Sequence, residues 1–404
     1  MLKILVLSEL FYPHGSGGEL ATYLYVEHLR QAGVNVIVVT NRFAGEPEVS
    51  KSKNLIVYRL PLFNKTIGVK YSILRRFDVL TSSFMKTLMK WADMVYVPKF
   101  WYSAIPFAKF CKKPVVVHLH SYQPACPLST LFDLSKNKIC RNYHKPFCSL
   151  KCITMNAKKK NSITKEFLGS IALNSTVRYY IGSFVMLSDC IICVSKAQAK
   201  LITEHLPSIS GKLHVIYNPL PVVENFDGMN GDFGYFGGPS ALKGFNVLCK
   251  ALRKVNPKIT IHFTKMVQAP LELTDKLTKL GIATHNRLSV EAYNNLYRRV
   301  QVVVVPSIWP EPLPFTVSEA LLSKRLVIAS SIGGIPEQTE GLEGAFMFEP
   351  GNYEQLADQI ANVRDLSEEV KADLGFKNKK GFLKKFDNEK AIRNFMNMLE
   401  KFIR

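Results

Sequence analysis

The chain has 404 residues, with 53 Lys and Arg against 32 Asp and Glu, and 47% of its residues are hydrophobic. At roughly 100–200 residues per domain, this length predicts two to four domains that each bury a core, which excludes a small peptide scaffold, a collagen and a disordered chain. The net charge of +21 is uneven: residues 1–218 hold 29 basic and 11 acidic side chains, and residues 219–404 hold 24 and 21. The basic half favours an anionic partner, such as nucleic acid, an acidic lipid surface or a phosphorylated substrate.

The sequence shows no targeting or membrane-spanning pattern. The apolar run after Met1 is interrupted by Ser8 and Glu9, so it is too short for a signal peptide. The longest apolar stretch, residues 179–195, contains Asp189 and falls short of the roughly 18 apolar residues that span a bilayer. The expected location is cytoplasmic, on a membrane surface as a peripheral protein.

The first half of the chain alternates between strand-like and helix-like patterns. Lys3–Leu7 is predicted to be a buried parallel strand, and a Gly- and Pro-rich loop precedes a helix predicted at Leu20–Gln31. Further strands are predicted at Val34–Thr40, Met94–Val97, Pro114–Leu119, Cys190–Val194 and Leu213–Tyr217. This order of strand, helix and strand predicts a Rossmann-like domain.

Between Phe63 and Trp91, basic residues alternate with apolar and aromatic ones, and residues 136–165 hold a second basic cluster. Such a helix is typical of contact with an anionic bilayer. The alternative is a solvated helix face.

The eight cysteines form two groups. Four lie in apolar runs, where free cysteine usually behaves as a small core residue: Cys111, Cys190, Cys193 and Cys249. The C-x-x-C pair in this group lies in strand sequence, which favours a core role over a redox role. The other four belong to a Lys-rich insertion at about residues 126–165: Cys126, Cys140, Cys148 and Cys152. A structural zinc site, disulfides and free thiols are all open alternatives for them.

The second half repeats the alternation after a linker-like stretch near residues 218–231. Strands are predicted at Phe233–Gly237, Ile259–Thr264, Val302–Val305 and Leu326–Ala329. The predicted fold class is therefore α/β, with two Rossmann-like doubly wound parallel-sheet domains at residues 1–218 and 219–385. A C-terminal helix at 386–404 could pack back on the N-terminal domain. Since ligands bind at the carboxyl ends of parallel strands, two domains facing across a cleft would hold a substrate there.

The stretch after the strand at Val302–Val305 carries the most specific chemistry. Prolines hold this loop extended, and Pro314 suits the first turn of a helix predicted to end at about Lys324. Glu311 then lies on a strand-end loop, and Glu319 lies inside the helix.

Two kinds of ligand group fit this arrangement. The amides of Phe315, Thr316 and Val317, at the helix start, suit a diphosphate. Carboxylates suit the hydroxyl groups of a sugar or a ribose. On spacing alone, Glu311 and Glu319 are explained equally well as surface charges.

Glu311 and Glu319, separated by seven residues, resemble the E-x7-E motif of retaining GT-B glycosyltransferases, specifically glycosyltransferase family 4. Other segments resemble further motifs of that family: Gly17-Gly18-Glu19, His120 six residues before Cys126-Pro127, Asp189–Ser195, Asn218, Gly237–Gly244 and Gly333–Glu337. Together they extend over nearly the whole chain, which makes the resemblance specific.

The resemblance implies a retaining hexosyltransferase that needs no metal or other cofactor and uses a UDP- or GDP-sugar as co-substrate. It implies that Glu311 and His120 are the catalytic residues, at the transferred sugar, and that Glu319 binds the ribose. The other implied donor-binding residues are Gly17, Gly18, Lys243, Pro314, Phe315 and Thr316. His118 is a weaker candidate on the same strand.

The implied acceptor is a glycan or a polyprenyl-phosphate-linked saccharide. The basic N-terminal domain would be the acceptor side and would face an anionic membrane surface, with no nucleic acid as partner.

Two departures from the family's pattern leave alternatives open. Gly238 stands where an arginine is usual, and Lys324 and Leu326 replace a glycine and a proline. Lys324, Arg325 or Arg287 could supply the missing charge. The alternatives are therefore a catalytically inactive relative that binds sugar nucleotides or glycans and, third, a nucleic-acid-binding protein.

Overall fold

A computed structural model of the chain describes residues 1–63, 73–126, 128–133, 135–141, 181–224, 231–264, 277–285 and 288–402. The chain divides into two units. Unit 1 consists of Met1–Lys136, Cys140–Pro219 and Asn388–Arg404, and unit 2 consists of Asn137–Ile139 and Leu220–Asp387. None of the helices in the described ranges has the length and hydropathy needed to span a bilayer.

The strands, in chain order, are β1 (Lys3–Leu7), β2 (Asn35–Asn41), β3 (Val49–Ser52), β4 (Leu55–Leu60), β5 (Met94–Val97), β6 (Val115–Leu119), β7 (Phe132–Asp133), β8 (Lys138–Ile139), β9 (Cys190–Cys193), β10 (Leu213–Val215), β11 (Asp232–Tyr235), β12 (Ile261–Phe263), β13 (Ile282–Thr284), β14 (Val300–Val305), β15 (Leu326–Ser330) and β16 (Ala345–Phe348).

The α-helices are α1 (Gly17–Gln31), α2 (Ile73–Thr81), α3 (Ser83–Trp91), α4 (Ala104–Phe110), α5 (Lys196–His205), α6 (Phe245–Leu252), α7 (Val290–Arg299), α8 (Phe315–Leu322), α9 (Ile335–Thr339), α10 (Tyr353–Arg364), α11 (Glu368–Lys385) and α12 (Asn388–Glu400). A 3-10 helix covers Pro207–Lys212.

Unit 1 is built on an eight-stranded sheet in the order β10-β9-β6-β5-β1-β2-β4-β3. All neighbours pair in parallel except β3 and β4, which are antiparallel. The direction of strand progression reverses at β1, which has β2 on one side and β5 on the other. Such a reversal is where a doubly wound sheet binds its ligand, outside the carboxyl ends of the strands.

The core of unit 1 joins the sheet to helices from both ends of the chain. Strand residues such as Ile4 and Val6 are fully buried together with Tyr25 of α1. Phe395, and with it Leu399, comes from α12 and is also fully buried in this cluster. The last helix is therefore part of the N-terminal core, held there by apolar burial.

Unit 2 contains a six-stranded parallel sheet in the order β13-β12-β11-β14-β15-β16. Alternate residues of the central strands, such as Tyr235 and Val302, face a core shared with α6 and α10. The reversal in strand order lies between β11 and β14. This unit therefore has the same doubly wound arrangement as unit 1, and the predicted fold class is confirmed.

The structure corrects several predicted boundaries. The first helix begins at Gly17 and not at Leu20, so the glycine pair belongs to its first turn. The helix after Pro314 ends at Leu322, close to the predicted end at about Lys324. The prediction missed six strands: β3, β4, β13 and β16 of the two large sheets, and β7 and β8, which form a two-stranded sheet of their own. The short strands β3 and β13 have little apolar sequence to signal them, whereas β4 and β16 are largely apolar and the prediction overlooked them.

α3 does not present an apolar face to solvent. Met85, Leu88 and Met89 are buried in unit 1, whereas Lys86 and Lys90 are exposed. The interpretation as an amphipathic helix on a bilayer is therefore wrong for α3, and the solvated basic face is the correct alternative. Residues 64–72 and most of the second basic cluster, at 142–165, lie outside the described residues.

Candidate active site

The glycine loop of unit 1 forms the first turn of α1. Ser16 precedes the helix, and its backbone N–H donates to the carboxylate of Glu19 at 2.7 Å while its hydroxyl donates to the same oxygen at 3.1 Å. Such a reciprocal cap satisfies donors that an uncapped helix start would leave free. Gly17 and Gly18 are therefore held on a fixed helical turn.

Gly18 lies against two side chains from other parts of the sheet. A Cβ atom at this position would lie 3.0 Å from Cβ of His120 and 3.3 Å from Nζ of Lys99. Lys99, which follows β5, donates to Glu19 at 2.5 Å, and Glu19 is almost fully buried. A side chain at position 18 would therefore have to displace its neighbours by a few tenths of an ångström, which favours glycine there.

His120 follows the last residue of β6, at the carboxyl edge of the sheet. Its ring stacks on that of His118, with centroids 4.3 Å apart and an interplanar angle of 28°. Its Nε2 atom is buried and has no hydrogen-bond partner among the described residues. Burial, together with repulsion from His118 and Lys99, holds the pKa of His120 well below its usual range. The imidazole is therefore neutral at pH 7, with one nitrogen available to a ligand.

His118, the weaker candidate, lies beneath His120 in the core. It is fully buried, and its Nδ1 atom is 2.8 Å from the hydroxyl of Tyr96. Burial lowers the pKa of His118 to about 3. We call Gly18, Glu19, Lys99, His118 and His120 the histidine cluster. The sequence indicated Gly18 and His120 but gave no signal for Lys99.

In unit 2, Glu311 lies on the loop after β14 and is almost fully buried. Its carboxylate accepts hydrogen bonds from the ammonium of Lys243 and from the hydroxyl of Ser307. The Lys243 ammonium also lies 5.7 Å from the ring centroid of Trp309. We call Lys243, Ser307, Trp309 and Glu311 the glutamate cluster. The structure thus brings the predicted residues Lys243 and Glu311 together, as an ion pair.

Two glycines fix the backbone of Glu311. The N–H of Gly334 donates to the carbonyl of Glu311 at 2.8 Å. A Cβ atom at Gly333 would lie 2.3 Å from the same carbonyl oxygen, and Gly333 has φ of 61°. The Gly333-Gly334 turn therefore packs directly under the candidate glutamate, and the contact together with the positive φ explains the glycine at position 333.

A second turn fixes Lys243. The hydroxyl of Tyr235 donates to the carbonyls of Gly238 and Lys243 at 3.0 and 3.3 Å. Gly244 has φ of 81°, and a Cβ atom there would lie 1.6 Å from the carbonyl oxygen of Pro306. The backbone beside Lys243 thus rests on the backbone that leads into the Glu311 loop.

Gly238 has φ of 65°, in the left-handed region. An arginine, expected here from the family's pattern, would be strained in this conformation. Arg325 is fully buried over the ring of Tyr297, 6.0 Å from its centroid. Arg287 lies outside the described residues.

Helix α8 begins directly after the loop that carries Glu311. Pro314 precedes the helix as its N-cap, and its carbonyl accepts from Gln338 at 3.2 Å. Phe315 and Thr316 are partly exposed at the first turn. The N–H of Val317 donates to Pro314 at 3.2 Å, so it does not belong with the two amides available to an anion.

Glu319 is partly buried one turn into α8, beside two aromatic side chains that the sequence analysis missed. Burial of the two tyrosines and the negative charge of Glu319 raise the pKa values of Tyr293 and Tyr297. The ring of Phe236, just after β11, lies 5.5 and 5.2 Å from those two rings. An apolar aromatic surface therefore accompanies Glu319 at the strand-order reversal of unit 2.

The cysteines of the C-x-x-C pair lie in the core of unit 1, as predicted. Cys190 and Cys193 are buried in β9, and burial raises the pKa of Cys190 to about 12. Cys126 is a free thiol, and Cys148 and Cys152 lie outside the described residues. The predicted structural zinc site therefore stays a prediction. Among the residues that the structure describes, no three His, Cys, Asp or Glu side chains are placed to hold a metal ion.

Comparison with known proteins decides the family. The family model described as Glycosyltransferase Family 4 matches residues 15–223, which is more than half of the chain, and the model described as Glycosyl transferases group 1 matches residues 231–365. The chain belongs to glycosyltransferase family 4. It is therefore a glycosyltransferase, and its two doubly wound units are those of the GT-B fold.

Individual relatives of this glycosyltransferase are distant. An uncharacterized 42.6 kDa protein in the cps region of Klebsiella pneumoniae is 23% identical over 371 residues, covering 86% of this chain and 90% of that protein. Sucrose-phosphate synthase from Thermosynechococcus elongatus has a TM-score of 0.69 at 15% identity, with 99% of each chain covered. HepE from Anabaena, solved in complex with UDP-glucose, has a TM-score of 0.63 at 18% identity, covering 99% of this chain and 100% of that one. At these identities the solved structures show the fold alone.

Proposed function

We propose that this glycosyltransferase moves a hexose, with retention of anomeric configuration, from a UDP- or GDP-sugar to a glycan or a polyprenyl-phosphate-linked saccharide. The observation that carries the proposal is the glutamate cluster, where the Glu311 carboxylate and the Lys243 ammonium meet beside the start of α8. The complex of HepE, a protein of the same fold, with UDP-glucose supports a nucleotide sugar as donor.

The residues of unit 2 match the parts of such a donor. The Lys243 ammonium and the amides of Phe315 and Thr316 would bind the diphosphate, whose negative charge grows as the sugar leaves. Pro314 fixes where those amides begin. Glu319 would accept from the ribose hydroxyls.

Glu311 would exchange one partner for another when the donor binds. In the free protein its carboxylate is paired with Lys243 and Ser307. A sugar diphosphate offers an anion to the lysine and hydroxyl donors to the carboxylate. Because each group gains a ligand partner as the pair separates, neither charge is left buried alone.

The residues of unit 1 suit contact with a neutral sugar. His120 is a neutral imidazole with an unpartnered Nε2, and such a group exchanges hydrogen bonds with a hydroxyl without adding charge. Gly17 and Gly18 would let the backbone approach the ligand closely. We assign this unit to the acceptor side.

The net charge of residues 1–218, 29 basic against 11 acidic side chains, supports an acceptor carrying phosphate. The exposed Lys86 and Lys90 of α3 are part of that charge. Peripheral attachment at the cytoplasmic face of a membrane is proposed on charge alone, since the apolar face of α3 is buried.

The test is transfer from labelled UDP- and GDP-hexoses to lipid extracts and free glycans. We expect Glu311→Gln to reduce transfer by at least about a hundredfold, because it removes the charge of a preorganised group. Glu354→Gln is the control, since it changes an exposed Lys254 pair in the same unit. NMR of the product gives the anomeric configuration, and transfer in excess chelator tests the need for a metal. Equal transfer by Glu311→Gln and wild type would contradict the assignment.

The second candidate, a catalytically inactive sugar-nucleotide-binding relative, is favoured by one observation. Gly238 removes a usual phosphate cation, and its φ of 65° disfavours any other residue. Calorimetry that shows UDP or GDP binding, combined with no turnover on every acceptor, would support this candidate over the transferase.

A further inference from the structure

We propose that His118 is a positioning residue for His120, and that Phe395 in α12 holds His118 in place. This inference deepens the proposed function, because it explains how the imidazole assigned to the sugar is kept in one plane and in its neutral form. It gives the last helix of the chain a role in the site of unit 1.

The contact between the two imidazoles is face to face. The rings are nearly parallel, with centroids 4.3 Å apart. His118 therefore covers one face of the His120 ring, and water cannot reach that face to solvate an imidazolium. Stacking also restricts rotation of the His120 ring about its χ angles. A fixed ring orientation is needed to hold a hydroxyl ligand in one geometry.

His118 is itself held on several sides. Its Nδ1 atom is 2.8 Å from the Tyr96 hydroxyl, which fixes the rotation of the ring. Tyr25 packs edge-on at 5.1 Å, and the hydroxyl of Tyr25 donates to the carbonyl of Tyr217 at 3.0 Å. The imidazole therefore has little freedom to turn away from His120.

Phe395 completes this enclosure from α12. Its ring lies 4.7 Å from Tyr25, 5.5 Å from Tyr96 and 6.5 Å from His118, and it is fully buried. Tyr96 and Tyr25 both contact Phe395 and His118, so a smaller side chain at 395 would loosen the two residues that hold the imidazole. Met398, in the same helix, packs instead against the thiol of Cys190 at 2.8 Å.

The charged groups that face His120 also keep its imidazole neutral. Lys99 is adjacent, and its positive charge opposes protonation of His120. Glu19 on α1 is paired with Lys99, which limits its own attraction for an imidazolium. Tyr96 and Tyr25 are buried and neutral, because burial raises the pKa of both. Packing by His118 is therefore the contribution that substitution can remove without changing a charge at pH 7.

NMR of the full-length protein with labelled histidines tests the proposal without depending on turnover. In wild type we expect no titration of His120 between about pH 5 and 8. His118→Phe keeps a ring beneath His120 and should leave it silent. His118→Ala exposes the ring, so the pKa of His120 should rise into the observed range, while Lys99 keeps it below its ordinary value. A silent His120 in His118→Ala would overturn the proposal.

Two substitutions in α12 cover the case in which His118→Ala does not fold. Phe395→Leu should bring the His120 titration into the observed range and lower kcat about tenfold, with the donor KM within about twofold. Met398→Leu, the matched control, should change neither. Equal behaviour of the two variants would contradict the role of Phe395.

Sugar transfer by His120→Ala, measured beside the histidine titrations, separates this proposal from the proposed function. If His120→Ala transfers sugar as well as wild type, the role of His120 in transfer is wrong, but the titrations still report the packing. If His120→Ala abolishes transfer and the titrations of His118→Ala and wild type coincide, only the positioning role fails.

Discussion

The histidine cluster and the glutamate cluster lie at corresponding places in their sheets, yet different forces hold them. In unit 1 a neutral imidazole is fixed by ring stacking and burial, as the 4.3 Å contact of His118 with His120 shows. In unit 2 a buried carboxylate is fixed by an ammonium and a hydroxyl, with Lys243 and Ser307 as donors. Burial is tolerated in the first case because the group gives up its charge, and in the second because the charge is paired.

The two clusters also differ in how far they can be predicted from the sequence. The glutamate cluster draws on two short loops, at residues 237–244 and 306–311, next to the Gly333-Gly334 turn. The histidine cluster needs residues 18, 99 and 120, and its support needs residue 395. The first is visible as local motifs, whereas the second depends on contacts between distant parts of the chain.

The largest expected effect comes from the turn beside Lys243. Gly244→Ala would place Cβ 1.6 Å from the Pro306 carbonyl oxygen, so the backbone of the glutamate cluster must move. We expect a loss of more than about 3 kcal/mol in the free energy of unfolding, or failure of unit 2 to fold. Urea denaturation followed by Trp fluorescence measures it.

Gly341→Ala is the control for backbone strain alone. Gly341 has φ of 77°, but no atom lies within 4 Å of its Cβ position. We expect a cost of about 1–2 kcal/mol there. A similar cost for both variants would show that contact with Pro306 is unimportant.

A smaller effect is expected at the glycine of unit 1. Gly18→Ala would bring Cβ to 3.0 Å from Cβ of His120 and displace it by a few tenths of an ångström. We expect sugar transfer to fall about tenfold, with a stability loss of about 1 kcal/mol. Gly211→Ala, where nothing lies within 4 Å, should leave transfer unchanged. Unchanged transfer in Gly18→Ala would show that this glycine has no role in the active site.

Acid stability tests the claim that the histidine cluster survives burial by staying neutral. The unfolded chain binds a proton at His118 below about pH 6.5, but the folded chain does so only near pH 3. As the pH is lowered through that window, the free energy of unfolding should therefore decrease, and His118 should contribute up to about 1.4 kcal/mol per pH unit. His118→Phe should show a correspondingly smaller slope between pH 6 and 4 in urea titrations. The slopes of the two proteins should coincide above pH 7.5, and a common slope at pH 4–6 would contradict the assignment.

The smallest effect is expected beyond the glutamate cluster, after α8. Lys324 has φ of 58°, where the family's pattern has glycine. Lys324→Gly should raise the free energy of unfolding by about 0.5–1 kcal/mol, because glycine adopts this conformation without strain. Lys324→Ala removes the same side chain but keeps the strain, so it should not stabilise. Thermal denaturation of the two variants makes the comparison, and stabilisation by alanine alone would refute this explanation.

Much of the central architecture could be predicted from periodicity, because buried parallel strands such as Met94–Val97 read as uninterrupted apolar runs. The strands β3 and β13 lack that signal, because β3 is mostly polar and β13 has only three residues. The start of α1 was misjudged because Gly17 and Gly18 are poor helix formers, and the Ser16–Glu19 cap overrides their propensity.

Within the candidate site, Glu311, Glu319 and His120 were indicated by spacing and resemblance. Lys99 was missed because its partner, Glu19, is 80 residues away. Tyr293 was missed because its position in α7 carries meaning only once α8 packs nearby. Long-range contacts of this kind leave no periodic trace in a single sequence.

The membership of α12 in unit 1 has a consequence for biosynthesis. The ribosome completes all of unit 2 before it makes residues 388–400, and Phe395 and Leu399 belong to the first unit's core. Domains otherwise tend to fold in order of synthesis, N-terminal first. Here the core of the first unit is completed only after the second has been translated, and until then the faces of Tyr25 and Tyr96 that Phe395 contacts lack that cover. A nascent chain stalled before residue 388 would be the form that chaperones must protect.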